Sequence, residues 1–398
     1  MRTYRISDYG AVPDGVSVCT AAIQHALDDC FAGGGGRVLV EGGTFVTGTL
    51  RIGSNTELHL APGAVLLASS NTDDYPDTDY GFFDVRRCPR GSARAVLFIG
   101  QSRNVSISGT GTIDCRGSAF VEPYTDAHGT TRYRRTTDLV PGRMIFAMSC
   151  ENLHFSDFTM REMAGGWGMW INDCTNVRVH GIRMECNPYY PNADGIHINC
   201  SSDVIVSDCV LHTGDDCVII RSNCNTLRAP RVCERVIVRG CILSSQCQAV
   251  RIGWRGDYEI RDCALSDLVI TDAWRGIVAE LPDHSSPFDI GEHPTKIHDI
   301  RVQNVVIDRC CDRPVFVGVY PGNPYGGIYD LSFSGISCTS GQYPIVRGLP
   351  DAVLENIRFT DCEFRVAATR ILSLVPFTHV RGLRLSNTSF TVTEESPQ

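Results

Sequence analysis

The sequence predicts an all-β chain wound into a solenoid of stacked coils and opened by one short helix. Three observations predict it. A strand–corner–strand unit recurs along the chain, the aligned units form ladders of like residues, and a helical pattern appears near the N-terminus, ahead of the first unit.

The unit reads NLHFSDFTM from Asn152, NVRVHGIRM from Asn176, DVIVSDCVL from Asp203 and RVIVRGCIL from Arg235. It continues as DCALSDLVI from Asp262, DIRVQNVVI from Asp299, DLSFSGISC from Asp330, NIRFTDCEF from Asn356 and GLRLSNTSF from Gly382. Each copy alternates apolar and polar residues with period 2, turns at a polar or glycine corner, and resumes as a second short strand. Helical repeats would need a period of 3.6. The spacing, roughly 24 to 37 residues, is that of solenoid repeats.

Alignment on the corners gives the next position as Phe158, Ile182, Cys209, Cys241, Leu268, Val305, Ile336 and Cys362. An apolar ladder of this kind is expected if coils stack at the strand spacing of about 4.8 Å. A second ladder precedes the strands: Cys150, Cys174, Cys200 and Cys233. One coil cannot bury its face alone, so stacked neighbours share a continuous core.

The segment TAAIQHALDDCF, residues 20–31, carries apolar residues at helical spacing, with Thr20 as the expected N-cap. The run Gly33 to Gly36 ends it. Such a helix would cover the open end of the solenoid, where strand edges are otherwise exposed. The run is not a phosphate loop, because no GK[ST] follows and the helix precedes it. The expected organisation is a single domain over 1–398: a cap region at 1–50, stacked coils at 51–392 and a tail at 393–398. Longer polar stretches at 71–95, 115–143, 222–231 and 281–296 read as insertions, which in solenoids tend to border the binding face.

The chain of 398 residues is 43% hydrophobic and 20% charged, with a net charge of -9. It has no Lys/Arg-rich block, so neither nucleic acid nor an anionic membrane is an expected partner. No apolar run approaches a membrane span, and MRTYRISDYG lacks the apolar core of a signal peptide, so the expected location is the cytoplasm. In that compartment the 19 cysteines read as buried, reduced, small hydrophobes. No paired CxxC motifs suggest zinc, and no metal or other cofactor is expected.

The stretch PNADGIHINCSSDVIVSDCVLHTGDDC carries the chemistry. Asp194 precedes one strand pair and Asp215 follows 21 positions later, about one coil, so the two should occupy adjacent rungs of one face. Asp216 adds a third carboxylate. Residues 215 and 216 would point to opposite sides of a regular strand, so both can line one groove only if the chain bends at Gly214. Clustered carboxylates repel, which should raise at least one pKa and set a protonated acid beside an ionised base. Glycoside hydrolysis needs that pair, one group to protonate the leaving oxygen and one to activate water. A calcium site is the alternative use of clustered carboxylates. Asp203, Asp208, Asp262 and Asp267 read as corner residues bonding to the backbone.

DYGAVPDGVSVCTAAIQHAL followed by GGGGRVLVEGGTFVTG resembles the N-terminal cap of the pectate-lyase-like right-handed parallel β-helix superfamily. NADG and GDDC at this spacing resemble glycoside hydrolase family 28, the polygalacturonases and their relatives. The resemblance runs from about Tyr4 to at least Leu281, and the coil pattern continues to about Val392. It implies a right-handed parallel β-helix and inverting hydrolysis. By motif, Asp215 matches the general acid, Asp194 and Asp216 the pair that positions and activates water, and Asn192 a residue that helps hold the site.

The sequence also departs from that pattern. Where polygalacturonases carry Gly-His-Gly, this chain has Cys247-Gln248-Ala249 within CQAVRIGW. Where they carry an Arg-Ile-Lys that binds the galacturonate carboxylate, RGIVAE places Val278 and Glu280. A Glu at a cation position repels a uronate. The expected function is therefore an exo-acting inverting glycosidase on plant-derived oligosaccharides whose substrate site need not require galacturonate. A uronate-specific enzyme with a rebuilt clamp is the alternative, with Arg221, Arg251 and Arg255 as the candidate cations. A β-eliminating lyase and a non-catalytic carbohydrate-binding solenoid are the others. His197, Gln248, Arg251, Trp254 and Glu280 join Asn192 as expected substrate-binding residues. Trp254 is placed to stack on a sugar, while Trp167 and Trp170 are as readily core. His284, His293 and His298 read as loop residues, and Tyr320 and Tyr325 as a far rim.

Overall fold

The computed structural model describes residues 1–163, 166–283, 290–367 and 376–393. They form two compact units, the first comprising 1–85, 92–197 and 208–215, the second 86–91, 198–207 and 216–398.

The first unit begins with helix Thr20–Ala32, which buries Ile23, Ala26, Leu27 and Cys30. Thr20 is not its N-cap. Cys19 holds that place and no side chain caps the helix. The Thr20 hydroxyl instead accepts the Gly48 N–H at 2.7 Å, so a tertiary bond has displaced the local one. The helix ends at Gly33, whose N–H reaches the Asp29 carbonyl. At Gly35, with φ +114°, a Cβ would lie 2.4 Å from the Asn55 carbonyl oxygen, so only glycine fits that approach.

Parallel coils follow. Strand Glu151–Ser156 pairs with Thr175–His180, and Thr159–Arg161 with Arg183–Glu185. The corners take left-handed backbone at asparagines or aspartates, among them Asn104, Asn152, Asn176 and Asp208. These residue types reach that conformation at lower cost than other L-residues. Their side chains bond in a row: Asn104 to Asn55 at 2.8 Å, Asn152 to Asn104 at 3.0 Å, and Asn176 to Asn152 at 2.6 Å.

The predicted apolar ladder holds within each unit. In the first, the registers Thr159↔Arg183 and Arg183↔Val210 put Phe158, Ile182 and Cys209 in one column. In the second, Ile242↔Val269, Leu268↔Val305, Val305↔Ile336 and Ser337↔Glu363 align Cys241, Leu268, Val305, Ile336 and Cys362. All eight are at most 2% exposed. Fully burying a Val, Leu, Ile or Phe side chain is worth about 1.5–3 kcal/mol of transfer free energy, so the column contributes to the stability of each unit.

The cysteine ladder needs one correction. Glu151↔Thr175 sets Cys150 beside Cys174, as expected. Ser202↔Glu234, however, sets Cys233 beside Ser201. Cys200 takes left-handed backbone, φ 48°, and turns its thiol to Cys224 at 3.6 Å. The four cysteines are nonetheless buried free thiols.

One face of the first unit is aromatic. Strands Ala95–Gly100, Arg143–Met148 and Trp167–Asn172 pair in parallel, with Phe98↔Phe146↔Trp170 in register. The insertion at 71–95 covers this column. Tyr80 stacks on Phe98 at 3.7 Å and Phe83 meets Phe146 edge-on at 5.7 Å. A second insertion forms the antiparallel hairpin of Val121–Thr125 and Thr131–Arg135.

The second unit is built from longer strands, Glu259–Thr271, Thr295–Cys310 and Tyr325–Ser340, each running through its corner. Beside them lies a shorter parallel series: Gln248–Ile252, Arg275–Leu281, Val315–Val319 and Ile345–Arg347.

Candidate active site

In the first unit, Asp194 is fixed by the strand below it. The N–H of Gly168 donates to the Asp194 carbonyl and that of Met169 to the Gly195 carbonyl, both at 2.8 Å. Its carboxylate oxygen Oδ2 lies 3.0 Å from His197 Nε2, and both side chains are buried. The His197 ring stacks on Trp167 at 3.7 Å and 14°. Trp167 is itself held edge-on by Trp170 at 5.9 Å, and the Arg143 guanidinium sits over both indoles at 5.1 and 4.6 Å. Arg143 is nearly fully buried and donates to the Ser92 carbonyl at 2.6 Å.

Asp215 sits on a bend that packs against the Asp194 segment. The N–H groups of Gly214 and Asp215 both donate to the Ala193 carbonyl, at 3.1 and 3.2 Å. The Thr213 hydroxyl donates to the Asp215 carbonyl at 2.5 Å. Gly214 is required by proximity, since a Cβ there would lie 2.8 Å from the Tyr190 carbonyl oxygen and 3.0 Å from that of Asn187. The expected bend is present, and the rungs of Asp194 and Asp215 adjoin. Asn192, at φ 50°, accepts from Arg135 Nη2 at 2.8 Å. Arg135 ends the hairpin, which also sets Tyr133 edge-on to Tyr190 at 4.9 Å. Arg135 lies 57 positions from Asn192 and carries no spacing signal that would have found it.

In the second unit, Asp216 is buried and held from two sides. Its Oδ1 accepts the Gln248 N–H at 2.9 Å, and its Oδ2 pairs with Arg251 Nε. Arg251 Nη2 also donates to Gln248 Oε1 at 2.5 Å. Burial pushes the Arg251 guanidinium down, but Asp216 beside it outweighs this and holds it above its ordinary value. Arg251 lies under Trp254, 4.3 Å from the ring centre. Trp254 Nε1 is buried without a hydrogen-bond partner among the described residues.

Two of the three cations proposed as a rebuilt clamp are therefore engaged. Arg251 serves Asp216. Arg221 pairs through Nε and Nη2 with the fully buried Asp257, at 2.7 and 2.8 Å. Glu280 is buried and pairs with Arg275 Nη1 at 3.3 Å, so it belongs to an internal ion pair. Trp254 carries guanidinium groups on its ring, where stacking with a sugar was expected. Trp167 and Trp170 are both buried, Trp170 in the covered aromatic column and Trp167 against His197. His293 packs on Tyr258 and His298 on Tyr329, whereas His284 lies outside the described residues. Tyr325 donates to the Val353 carbonyl at 2.6 Å as a structural residue.

A family model described as glycosyl hydrolases family 28 matches residues 89–235. A probable polygalacturonase of Vitis vinifera is 26% identical over 281 residues, covering 68% of this chain and 55% of that protein. An exo-poly-alpha-D-galacturonosidase of Dickeya chrysanthemi is 28% identical over 254 residues, covering 54% and 41%. The chain thus spans about half the length of these curated relatives. Among solved structures, a hyperthermoactive exopolygalacturonase from Thermotoga maritima superimposes with a TM-score of 0.79 at 17% identity, over 98% of this chain and 92% of that one. A polygalacturonase from Erwinia carotovora gives 0.67 at 15%, over 97% and 95%. At these identities the likeness establishes the fold, a right-handed parallel β-helix.

Proposed function

We propose, from the match of residues 89–235 to the glycosyl hydrolases of family 28, that the protein is an inverting glycosidase. It acts on pectic or related plant oligosaccharides, from the chain end, and does not demand galacturonate where polygalacturonases clamp its carboxylate.

The unequal support of the three aspartates carries this reading. Asp216 is bridged to a buried guanidinium and a backbone N–H, an environment that suits a carboxylate working as base or water-positioning group. Asp194 is held against His197, which orients it toward the same task. Asp215 is less buried than either, and its backbone N–H and carbonyl are both hydrogen-bonded, which holds the residue at the bend. That arrangement suits the general acid, whose proton must pass to a leaving oxygen outside the protein. In the inverting reaction the C–O bond to the leaving group breaks as Asp215 supplies its proton. Water attacks the anomeric carbon from the opposite face and gives its proton to the Asp194/Asp216 pair.

The aromatic column supports exo action. Phe98, Phe146 and Trp170 are at most 4% exposed, because Tyr80, Phe83 and Arg143 lie on them. A face filled in this way leaves no room for a polymer to run on. The loss of a free cation at Glu280 supports a cleavage subsite that takes a neutral sugar.

The test is product analysis with wild type and Asp215→Asn on oligogalacturonates, rhamnogalacturonan oligosaccharides and neutral aryl glycosides, in excess chelator. Release of one terminal sugar of inverted anomeric configuration, lost in the mutant, is the expected outcome. An unsaturated, ultraviolet-absorbing product would identify a lyase instead, and binding without turnover a non-catalytic solenoid.

A further inference from the structure

We infer that the second unit holds a subsite for a carboxylate-bearing sugar, built around Arg347, three coils along the sheet from Arg251. The inference rests on the glycosidase reading for the ligand being an oligosaccharide, and on the local geometry for its charge.

Phe316 lies at the centre. Three guanidinium groups approach its ring: Arg275 at 5.4 Å, Arg313 at 5.8 Å and Arg347 at 5.9 Å. Arg347 also lies over Tyr320 at 4.6 Å. The ring packs with Val278 and Ile345 in a small apolar cluster that Tyr320 borders. Gly318 makes room for it, since a Cβ there would come within 2.7 Å of the Phe316 ring.

Charge within the cluster does not balance. Arg275 is shared between Glu280 at 3.3 Å and Asp312 at 2.8 Å, and Asp312 also takes Arg313 at 2.5 Å. Three cations thus meet two carboxylates. The remaining cation is Arg347, which is half-buried and makes no hydrogen bond or ion pair among the described residues. Arg313 Nε, also buried, lacks a hydrogen-bond partner. A desolvated guanidinium without an anion is unfavourable, and its planar fork matches a carboxylate bidentately.

The register places the cluster. Arg251↔Val278↔Phe316↔Ile345 form one column, and Glu280↔Gly318↔Arg347 a second, two residues along each strand. Side chains two apart in a strand share a face, so Arg347 projects on the side where Arg251 meets Asp216. Three steps of about 4.8 Å put it about 14 Å along that face from Arg251. A substrate with a neutral sugar at the cleavage point and an acidic sugar further along would satisfy both Glu280 and Arg347.

The experiment measures binding calorimetrically in the Asp215→Asn protein, which holds substrate without turning it over. The probes are an acidic rhamnogalacturonan oligosaccharide and the same compound with its carboxyl groups reduced to alcohols. Expected is at least about tenfold tighter binding of the acidic form. That preference should vanish with Arg347→Gln added and survive with Arg381→Gln, which removes an exposed charge elsewhere in the unit. Equal affinity for the two probes, or a preference untouched by Arg347→Gln, overturns the inference. Hydrolysis by the wild type is read separately, so a flat binding ratio leaves the glycosidase reading standing. Hydrolysis retained by Asp215→Asn would sink the role of Asp215 without erasing the ratio.

Discussion

His197 Nε2 lies 3.0 Å from Asp194 Oδ2, three residues away along the chain, and the His197 ring is stacked on Trp167. A contact of this kind can orient a carboxylate, and the kinetics of His197 variants test that role. His197→Ala should lower kcat by about a hundredfold, the cost typical of a misplaced reacting group, while KM changes little. His197→Gln, able to donate to Asp194, should recover part of the loss. Steady-state kinetics on the best substrate decides it. A rise in KM at constant kcat would show that His197 contacts sugar instead.

Arg251 and Asp216 are both buried, so removing one strands the other. Arg251→Leu should destabilise the protein by about 3–5 kcal/mol. The double variant Arg251→Leu/Asp216→Asn should regain much of that stability yet remain inactive. Denaturant unfolding together with an activity assay separates the two effects.

The closed aromatic face gives a product prediction. Phe83→Ala should cost about 3–5 kcal/mol through the cavity it leaves. Tyr80→Ala and Phe83→Ala together should loosen the cover over Phe98 and Phe146. Chromatography of products from a long oligosaccharide should then show internal fragments beside the terminal sugar.

Glu57 offers a pH signature of stability. Burial pushes its carboxyl up, but the bonds from Arg37 at 2.7 Å and Ser108 at 2.6 Å outweigh it and hold it below the usual range. A group depressed in the folded state contributes stability above its unfolded pKa, about 4.3, which is lost as the pH falls through the folded value. Glu57→Gln should therefore lower stability at neutral pH and flatten its decline in acid, read from urea midpoints across that range.

The coil stack was legible because a two-residue period and like residues at corners are properties of the chain itself. The spacing of Asp194 and Asp215 belongs to the same regularity. What escaped depended on contacts that the period does not encode. Thr20 was drawn from its capping role by Gly48, and Cys200 left its column because left-handed backbone turned it toward Cys224. Arg221 and Arg251 looked available for a substrate carboxylate, but each had an acidic partner 35 or 36 positions away. Arg135 and Arg347 reach their places through an insertion and through stacking over three coils, and no local pattern marks either.

The asparagine row through Asn55, Asn104, Asn152 and Asn176 joins residues 49, 48 and 24 positions apart. Its links close the same way whether the intervening chain is one bare coil or carries a long excursion. The frame is thus indifferent to the length of what hangs from it. Segments such as the hairpin bearing Arg135 can be lengthened, trimmed or exchanged over generations while the carboxylates keep their places, so that new substrate preferences arise from the ornament and not from the scaffold.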